Sequence, residues 1–372
     1  DRSRARVVLL QGGDEETLVL WRRLVNMSAA YFNRVYTKLG VLLTDDDLAG
    51  ESRYQPLMEG VYARLDDAGL LREDDGAMVV DVDGFTNRDG DPLPLIAKSR
   101  TGAFMYATSD LACVVDRAER LDADLMLYVI GSPQAQHLQM VFAVCEMAGW
   151  LTPPRQAVHV GFGSVLGDDR KMLRSRAGAS VKLVDLLDEA VERADAKIRD
   201  ANPDLDPGVR DHVANIVGIG AIKYADLSHN RTSDYVFSYD KMLAMQGNTA
   251  AYMQNSYARV RSIFGKADVD LAALRESGAT ISLDSPTERA LAMAIARFPE
   301  ALERVAADYR PNHLAAYLFE LAGRYSEFYE QCPVIKAESA TLQQSRLLLC
   351  DLTARVIGKG LTLLGIETVE RM

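Results

Sequence analysis

Between residues 106 and 162, apolar runs of strand length alternate with helix-length periodic runs, and this alternation limits the fold more than any other feature of the 372-residue chain. A helical pattern from about Ser109 to Leu121 is followed by the apolar run Leu125 to Ile130, which reads as a buried strand. A second helical pattern runs from about Gln134 to Trp150, and a second strand lies near Val158 to Phe162. Strands separated by single helices at this spacing make βαβ units, and βαβ units make a parallel sheet. Ligands of such sheets bind beyond the carboxyl ends of the strands. Attention therefore falls on Gly131-Ser132-Pro133-Gln134 and on the stretch after Phe162.

The flanks set the domain organisation. Residues 1–75 read as helices, with Leu18, Leu20, Trp21, Leu24, Val25 and Met27 at helical spacing and Tyr31, Val35, Tyr36 and Leu39 after them. Met78 to Val82, the turn Asn87-Arg88-Asp89-Gly90, and Leu93 to Ala97 predict a β-hairpin or extended ribbon. After about residue 205 the strand signal disappears. Ser285 before Pro286, with Glu288 one turn in, marks a helix start. His313 to Tyr329 aligns Leu314, Leu318, Leu321, Tyr325 and Phe328 on one face, and Leu342 to Leu364 is a second long amphipathic run. The expected architecture is α/β plus all-α: residues 1–205, with a helical and hairpin insertion over 1–98, then a helical bundle over 206–372.

Composition narrows the partners. A formal charge of −11 argues against the wholesale phosphate neutralisation that drives non-specific DNA binding, so any RNA contact must be local. Cys113, Cys145, Cys332 and Cys350 lack paired spacing and read as reduced residues of a cytosolic protein, with no metal site. No apolar run reaches membrane-spanning length and no signal peptide is visible. The text opens on Asp1 in the middle of a helix-like run, so a piece of a longer product is expected.

Against the acidic whole, the loop 168–180 reverses sign. Arg170, Lys171, Arg174, Arg176 and Lys182 follow one another with no acid between them. Lys171-Met172-Leu173-Arg174-Ser175 stands between a strand end and a helix expected to be capped by Ser180, and Ala177, Gly178 and Ala179 give the loop freedom. Cations carried over a strand-end crevice suit the stabilisation of charge developing on phosphate. A solvated charged turn has the same composition, so the order of the residues must decide.

That order resembles the KMSKS loop of class I aminoacyl-tRNA synthetases, and its surroundings resemble the arginyl-tRNA synthetases in particular. The matching run begins Phe162-Gly163-Ser164-Val165-Leu166-Gly167. Ordered matches continue through Gly50-Glu51-Ser52, Tyr106-Ala107-Thr108-Ser109-Asp110-Leu111, Ala221-Ile222-Lys223-Tyr224-Ala225-Asp226-Leu227, Gly247-Asn248-Thr249-Ala250, Ala258-Arg259-Val260-Arg261-Ser262-Ile263 and the terminal Leu364-Gly365-Ile366 to Arg371-Met372. The resemblance implies a partial Rossmann-type class I catalytic domain with a parallel sheet, followed by a helical-bundle anticodon-binding domain.

It also implies roles. Lys171 and Arg174 would be the catalytic cations, and Tyr106, Asp110 and Gln134 would hold the substrate arginine. His137, Phe162, Gly163, Val165 and Leu166 would join the two cations around ATP. Asn248, Gln254, Tyr257, Arg259 and Met372 would face tRNA. From the residues alone, Asp110 reads equally as a helix-capping acid, Tyr106 as a core aromatic, Gln134 as a helix-start amide and His137 as a packed helix histidine. His159-Val160-Gly161-Phe162 lacks a second histidine and receives no catalytic role. The implied reaction is an ATP-dependent arginine–tRNA ligation by a cytoplasmic monomer, with Mg²⁺ accompanying ATP and no tightly bound cofactor.

Three departures stand out. No His-Ile-Gly-His motif occurs, so the first half of the nucleotide fold and the small N-terminal RNA-binding domain are expected to lie outside this chain, which alone should be inactive. Arg174 replaces the second lysine of the loop, and arginine and lysine are not equivalent at a phosphate. The usual proline and tyrosine of the anticodon region appear as Ala251 and Asn255. These departures leave open a divergent paralogue that binds tRNA or arginine without joining them. A nucleotide-dependent oxidoreductase is excluded, because no strand is followed by GxGxxG.

Overall fold

The computed structural model describes residues 6, 9–10, 12–173 and 181–370. The chain divides into a helical unit, residues 1–45, 165–231 and 235–372, and an α/β unit, residues 46–164 and 232–234. The helical unit opens with α1 (Glu15–Leu39), begun by the Asp14 carboxylate accepting from the Thr17 N–H and ended by Gly40 at φ 65°. Helical spacing holds there, but the face it defines is uncovered: Val19, Leu20, Leu24, Val25 and Met27 are exposed.

The α/β unit contains α2 (Met58–Asp67) and an antiparallel sheet ordered β1 (Leu71–Asp74), β2 (Ala77–Val80), β3 (Leu95–Lys98). The expected ribbon appears as the β2–β3 pairing. Strand β1 corrects the all-helical reading of residues 1–75. Its Leu-Arg-Glu-Asp sequence is charged and largely exposed, so no apolar run marks it; Asp75 and Gly76, at φ 47° and 77°, make the tight turn into β2.

Next come α3 (Tyr106–Glu119), β4 (Leu125–Tyr128), α4 (Ala135–Met147) and β5 (Gln156–His159). The β4–β5 pairing is parallel, from Leu125 opposite Gln156 to Tyr128 opposite His159. The alternation thus folds as expected, with one correction: β4 is buried on one face only. Met126 and Tyr128 join Leu111, Val141 and Val144 in the core, whereas Leu125 and Leu127 are 46% and 45% exposed.

The helical unit resumes with β6 (Val165–Leu166), α5 (Leu183–Ala201), α6 (Pro207–Ser228), β7 (Tyr235–Val236) and α7 (Tyr239–Met242). Strands β6 and β7 pair in parallel, so strand structure does recur beyond residue 205, in pieces too short to carry a periodic signal. The N-cap of α5 is Lys182, whose side chain makes no capping bond; the expected cap, Ser180, lies outside the described residues.

Helices α5 and α6 pack closely because Gly218 has no side chain: a Cβ there would lie 2.7 Å from the backbone of Val191. The 205/206 division therefore falls between two tightly packed helices, and no break in the packing marks it.

Six further helices complete the unit: α8 (Ala250–Ala267), α9 (Leu271–Glu276), α10 (Pro286–Ala296), α11 (Phe298–Asp308), α12 (Asn312–Gln331) and α13 (Ala340–Leu363). The capping box expected at α10 forms, with the Ser285 hydroxyl accepting from the Glu288 N–H and the Glu288 carboxylate accepting from the Ser285 N–H. Glu288 is fully buried, and its remaining charge is met by Arg346 of α13 at 2.8 Å. Leu314, Leu318, Leu321, Tyr325 and Phe328 of α12 all enter the core, as their spacing requires.

Two glycines provide a test of this packing. Gly218→Ala must push α5 and α6 apart and should destabilise the chain by about 1–3 kcal/mol. Gly265→Ala, in α8 with open space around it, should stabilise by about 0.5–1 kcal/mol. Urea unfolding midpoints of the two variants should therefore move in opposite directions.

Candidate functional site

Within the α/β unit, the carboxyl ends of β4 and β5 are laced together. The Val160 N–H donates to the Tyr128 carbonyl at 2.9 Å, and the Ser132 N–H and hydroxyl both donate to the Phe162 carbonyl at 2.9 Å. His159 places Nε2 2.8 Å from the Ile130 carbonyl. Gly161 is held between that imidazole and Ser132, with its would-be Cβ 3.0 Å from the ring. His159, Ser132 and Gly161 are thus framework residues; the sequence pointed to Ser132 as part of a strand-end segment and gave His159 and Gly161 no catalytic role, but it did not show that they lace the strand ends together. The His-Val-Gly-Phe run was the available signal.

The lacing fixes where α4 starts. A 3-10 turn, Ser132–Gln134, leads into it with Pro133 inside, and Gln134 is the N-cap residue with no side-chain capping bond. Its amide is exposed at the strand end. His137 follows one helical turn later, on the same side.

Helix α3 arrives from the antiparallel sheet. The Met105 N–H donates to the Ala97 carbonyl at 3.1 Å, and the buried Thr108 hydroxyl donates to the same carbonyl at 2.6 Å. Tyr106 and Asp110 are thereby set one turn apart at the start of α3. Asp110 is not a capping acid, because Met105 is the N-cap and Asp110 stands in the second turn. Tyr106 is not a core residue either, at 60% exposed. Instead, Asp110 Oδ2 lies 2.7 Å from His137 Nε2, and the Tyr106 ring leans on that imidazole with centroids 4.8 Å apart. The structure gathers Tyr106, Asp110 and His137 and puts Gln134 on the helix turn that carries His137.

The basic loop lies in the helical unit, and its first part is not a free loop. Leu166 bridges Met172 in antiparallel fashion, the Leu173 N–H donates to the Val165 carbonyl at 3.1 Å, and the Gly167 N–H donates to the Lys171 carbonyl at 2.8 Å. Residues 165–173 form a tight hairpin whose turn is eased by Arg170 at φ 57°. Its base is held by β7, with the Phe237 N–H donating to the Leu166 carbonyl at 2.8 Å. Lys171 is exposed at the turn. Arg174, with the rest of residues 174–180, lies outside the described residues, as does Met372.

Phe162 and Gly163 belong to the α/β unit. Phe162 is 44% exposed. A side chain at Gly163 would meet the Ser233 backbone at 2.8 Å, so that position accepts only glycine without rearrangement.

The expected RNA-facing residues do not form one cluster. Asn248 accepts from the Tyr224 hydroxyl at 2.6 Å. Tyr257 donates to Glu370 at 3.1 Å, and Arg259 stacks on Tyr329, 5.8 Å from its centroid. Gln254 corrects the expectation outright. It is fully buried, and its amide donates to the carbonyls of Ile216 at 3.3 Å and Glu367 at 2.8 Å, so it fastens helices and the 364–370 segment together. Polarity on a helix suggested a surface, but the partners that bury it come from distant sequence. Arg261, paired with Glu370 at 2.8 Å, was not foreseen as part of that fastening.

Among the described residues no helix is long and apolar enough to cross a membrane, and no His, Cys, Asp and Glu cluster is arranged to hold a metal ion.

Comparison with known proteins gives consistent findings. Residues 1–239 match the family described as tRNA synthetases class I (R), catalytic domain, and residues 253–372 match the DALR anticodon binding domain. The chain is 48% identical over its whole length to an arginine–tRNA ligase of Thermobifida fusca and 45% identical to one of Proteus mirabilis, and it spans 64% of the length of each. Among solved structures, it resembles the arginyl-tRNA synthetase of Plasmodium falciparum with a TM-score of 0.85 at 29% identity, covering 99% of this chain and 61% of that one. The Thermus thermophilus arginyl-tRNA synthetase is similar at a TM-score of 0.80 and 25% identity, covering 98% and 65% of the two chains. With the catalytic-domain match spanning 239 residues and the anticodon-domain match the remainder from residue 253, the chain belongs to the arginyl-tRNA synthetase family of class I tRNA synthetases.

Proposed function

We propose that this chain is the larger part of an arginine–tRNA ligase, which activates arginine with ATP, taken as its magnesium complex, and transfers it to a tRNA in the cytoplasm. The observation that carries the proposal is the group at the start of α3 and α4: a carboxyl group at Asp110 one turn from an exposed aromatic at Tyr106, with an uncommitted amide at Gln134. A guanidinium is planar and offers paired donors, and a carboxylate is the acceptor that matches it. Tyr106 supplies a face and a hydroxyl, and Gln134 supplies an amide for the amino-acid end.

Lys171 would offer its charge to the phosphates of ATP, with Arg174 as its companion, and Phe162, Gly163, Val165 and Leu166 would contact the nucleotide. Adenylate formation needs no covalent enzyme intermediate; positioning and charge stabilisation supply the rate. We assign catalysis to the part of the chain that matches the catalytic domain, residues 1–239, and tRNA reading to the helices after it, where Asn248, Tyr257, Arg259 and Met372 are the candidate contacts.

The test is arginine-dependent exchange of pyrophosphate into ATP by the full-length gene product. No exchange at saturating arginine, ATP and tRNA would sink the proposal. Asp110→Asn should raise the KM for arginine by roughly 30-fold or more, as expected for losing a charged partner. Lys171→Ala should lower kcat by about 10²-fold with the arginine KM little changed, as expected for losing one donor to developing charge.

A further inference from the structure

His137 is held in a way that bears on the amino acid more than on the nucleotide. Its side chain is 19% exposed, the Tyr106 ring covers it at 4.8 Å, and its Nε2 lies 2.7 Å from Asp110 Oδ2. An ionised carboxylate can only accept, so the nitrogen facing it carries the proton and donates. One oxygen of Asp110 is therefore partly committed, while the side chain, 37% exposed, keeps the other open.

The plane of that carboxylate matters to a guanidinium. Two parallel N–H donors find both acceptors only when the carboxylate is coplanar with them. An aspartate on an exposed helix turn turns freely about its last torsion, which is broad and shallow. A donor mounted on a half-buried ring removes that freedom before any ligand arrives, and binding loses less entropy as a result.

We infer that His137 is a positioning residue for arginine: it donates from Nε2 to Asp110 and fixes the carboxylate plane that receives the guanidinium. The inference rests on reading Tyr106, Asp110 and Gln134 as the arginine subsite, and it moves His137 away from the nucleotide. It also carries a selectivity consequence. An ammonium is a compact charge with rotatable donors and does not depend on the carboxylate plane. Losing His137 should therefore harm arginine more than a lysine competitor.

The experiment is pyrophosphate exchange by the full-length gene product with three substitutions. His137→Leu removes the donor, His137→Asn keeps an amide too short to reach Asp110, and His137→Gln keeps one long enough. The KM for arginine should rise about tenfold in the Leu and Asn variants, as expected for one hydrogen bond to a charged group. It should stay within about threefold of the unsubstituted protein in the Gln variant, with the KM for ATP within about twofold throughout. Inhibition by lysine should be unchanged, so the preference for arginine over lysine narrows.

A rise in the ATP KM without a rise in the arginine KM overturns the inference, as does equal loss in the Asn and Gln variants. If the Leu variant fails to fold, the Asn and Gln pair decides alone. Asp110→Asn separates the two levels. An unchanged arginine KM in that variant removes the arginine subsite, and the inference with it; a raised one, with no effect from His137, removes the inference only.

Discussion

The way α5, α8 and α12 come together in the helical unit depends on one helix buried along most of its length. Helix α6 has Val213, Ala214, Ile216, Val217, Gly218, Ile219, Gly220, Ala221, Ile222, Tyr224 and Ala225 out of solvent. A helix in that position cannot use a single apolar stripe; it needs small residues wherever a neighbour comes close. Gly218 admits α5, and Gly220 admits the Gln254 side chain of α8, whose amide would otherwise lie 2.8 Å from a Cβ. Tyr224 reaches Asn248 and the Ala315 carbonyl, tying in the start of α8 and the helix α12. The same helix ends near β7, which pairs with the strand that bears the Lys171 hairpin. The hairpin that bears Lys171 is thus anchored, through β7, to the segment that follows an enclosed, glycine-bearing helix.

What could be read in advance follows how local its determinants are. The Ser285 capping box needs only four adjacent residues, and it forms as expected. The face of α12 needs only spacing, and it is buried as expected. Strand β1 escaped notice because edge strands are stabilised by pairing, which needs no apolar residues, and its only flag was Asp75-Gly76. The buried state of Gln254 could not be read at all, since Ile216 and Glu367 supply it from 38 and 113 residues away.

The candidate site shows the same division. Tyr106, Asp110, Gln134 and His137 were proposed through family order, and the βαβ alternation placed only Gln134 at a strand end. The partnership of Asp110 with His137 spans 27 residues and two helices, and only the packed structure reveals it. The hairpin at residues 165–173 is a similar case. Gly167 and Arg170 allow the turn, but its base is also paired with β7, some seventy positions further on, which local sequence does not show.

The segment after α13 folds back onto the helices that precede it. Gly365, at φ 67°, turns the chain back beside Lys223, whose amine donates to the Leu39 carbonyl at the end of α1 at 2.6 Å and is held below its ordinary range by burial, with Glu367 pulling the other way. Two residues on, the Glu367 carbonyl receives Gln254, and Glu370 receives Tyr257 and Arg261. These contacts join residues between 109 and 184 positions apart in the sequence. Domains ordinarily condense as they leave the ribosome. Here the second acceptor of the buried Gln254 amide, and the carboxylate shared by Tyr257 and Arg261, come from residues 367–370, so α8 is fastened by a segment made more than one hundred positions after it.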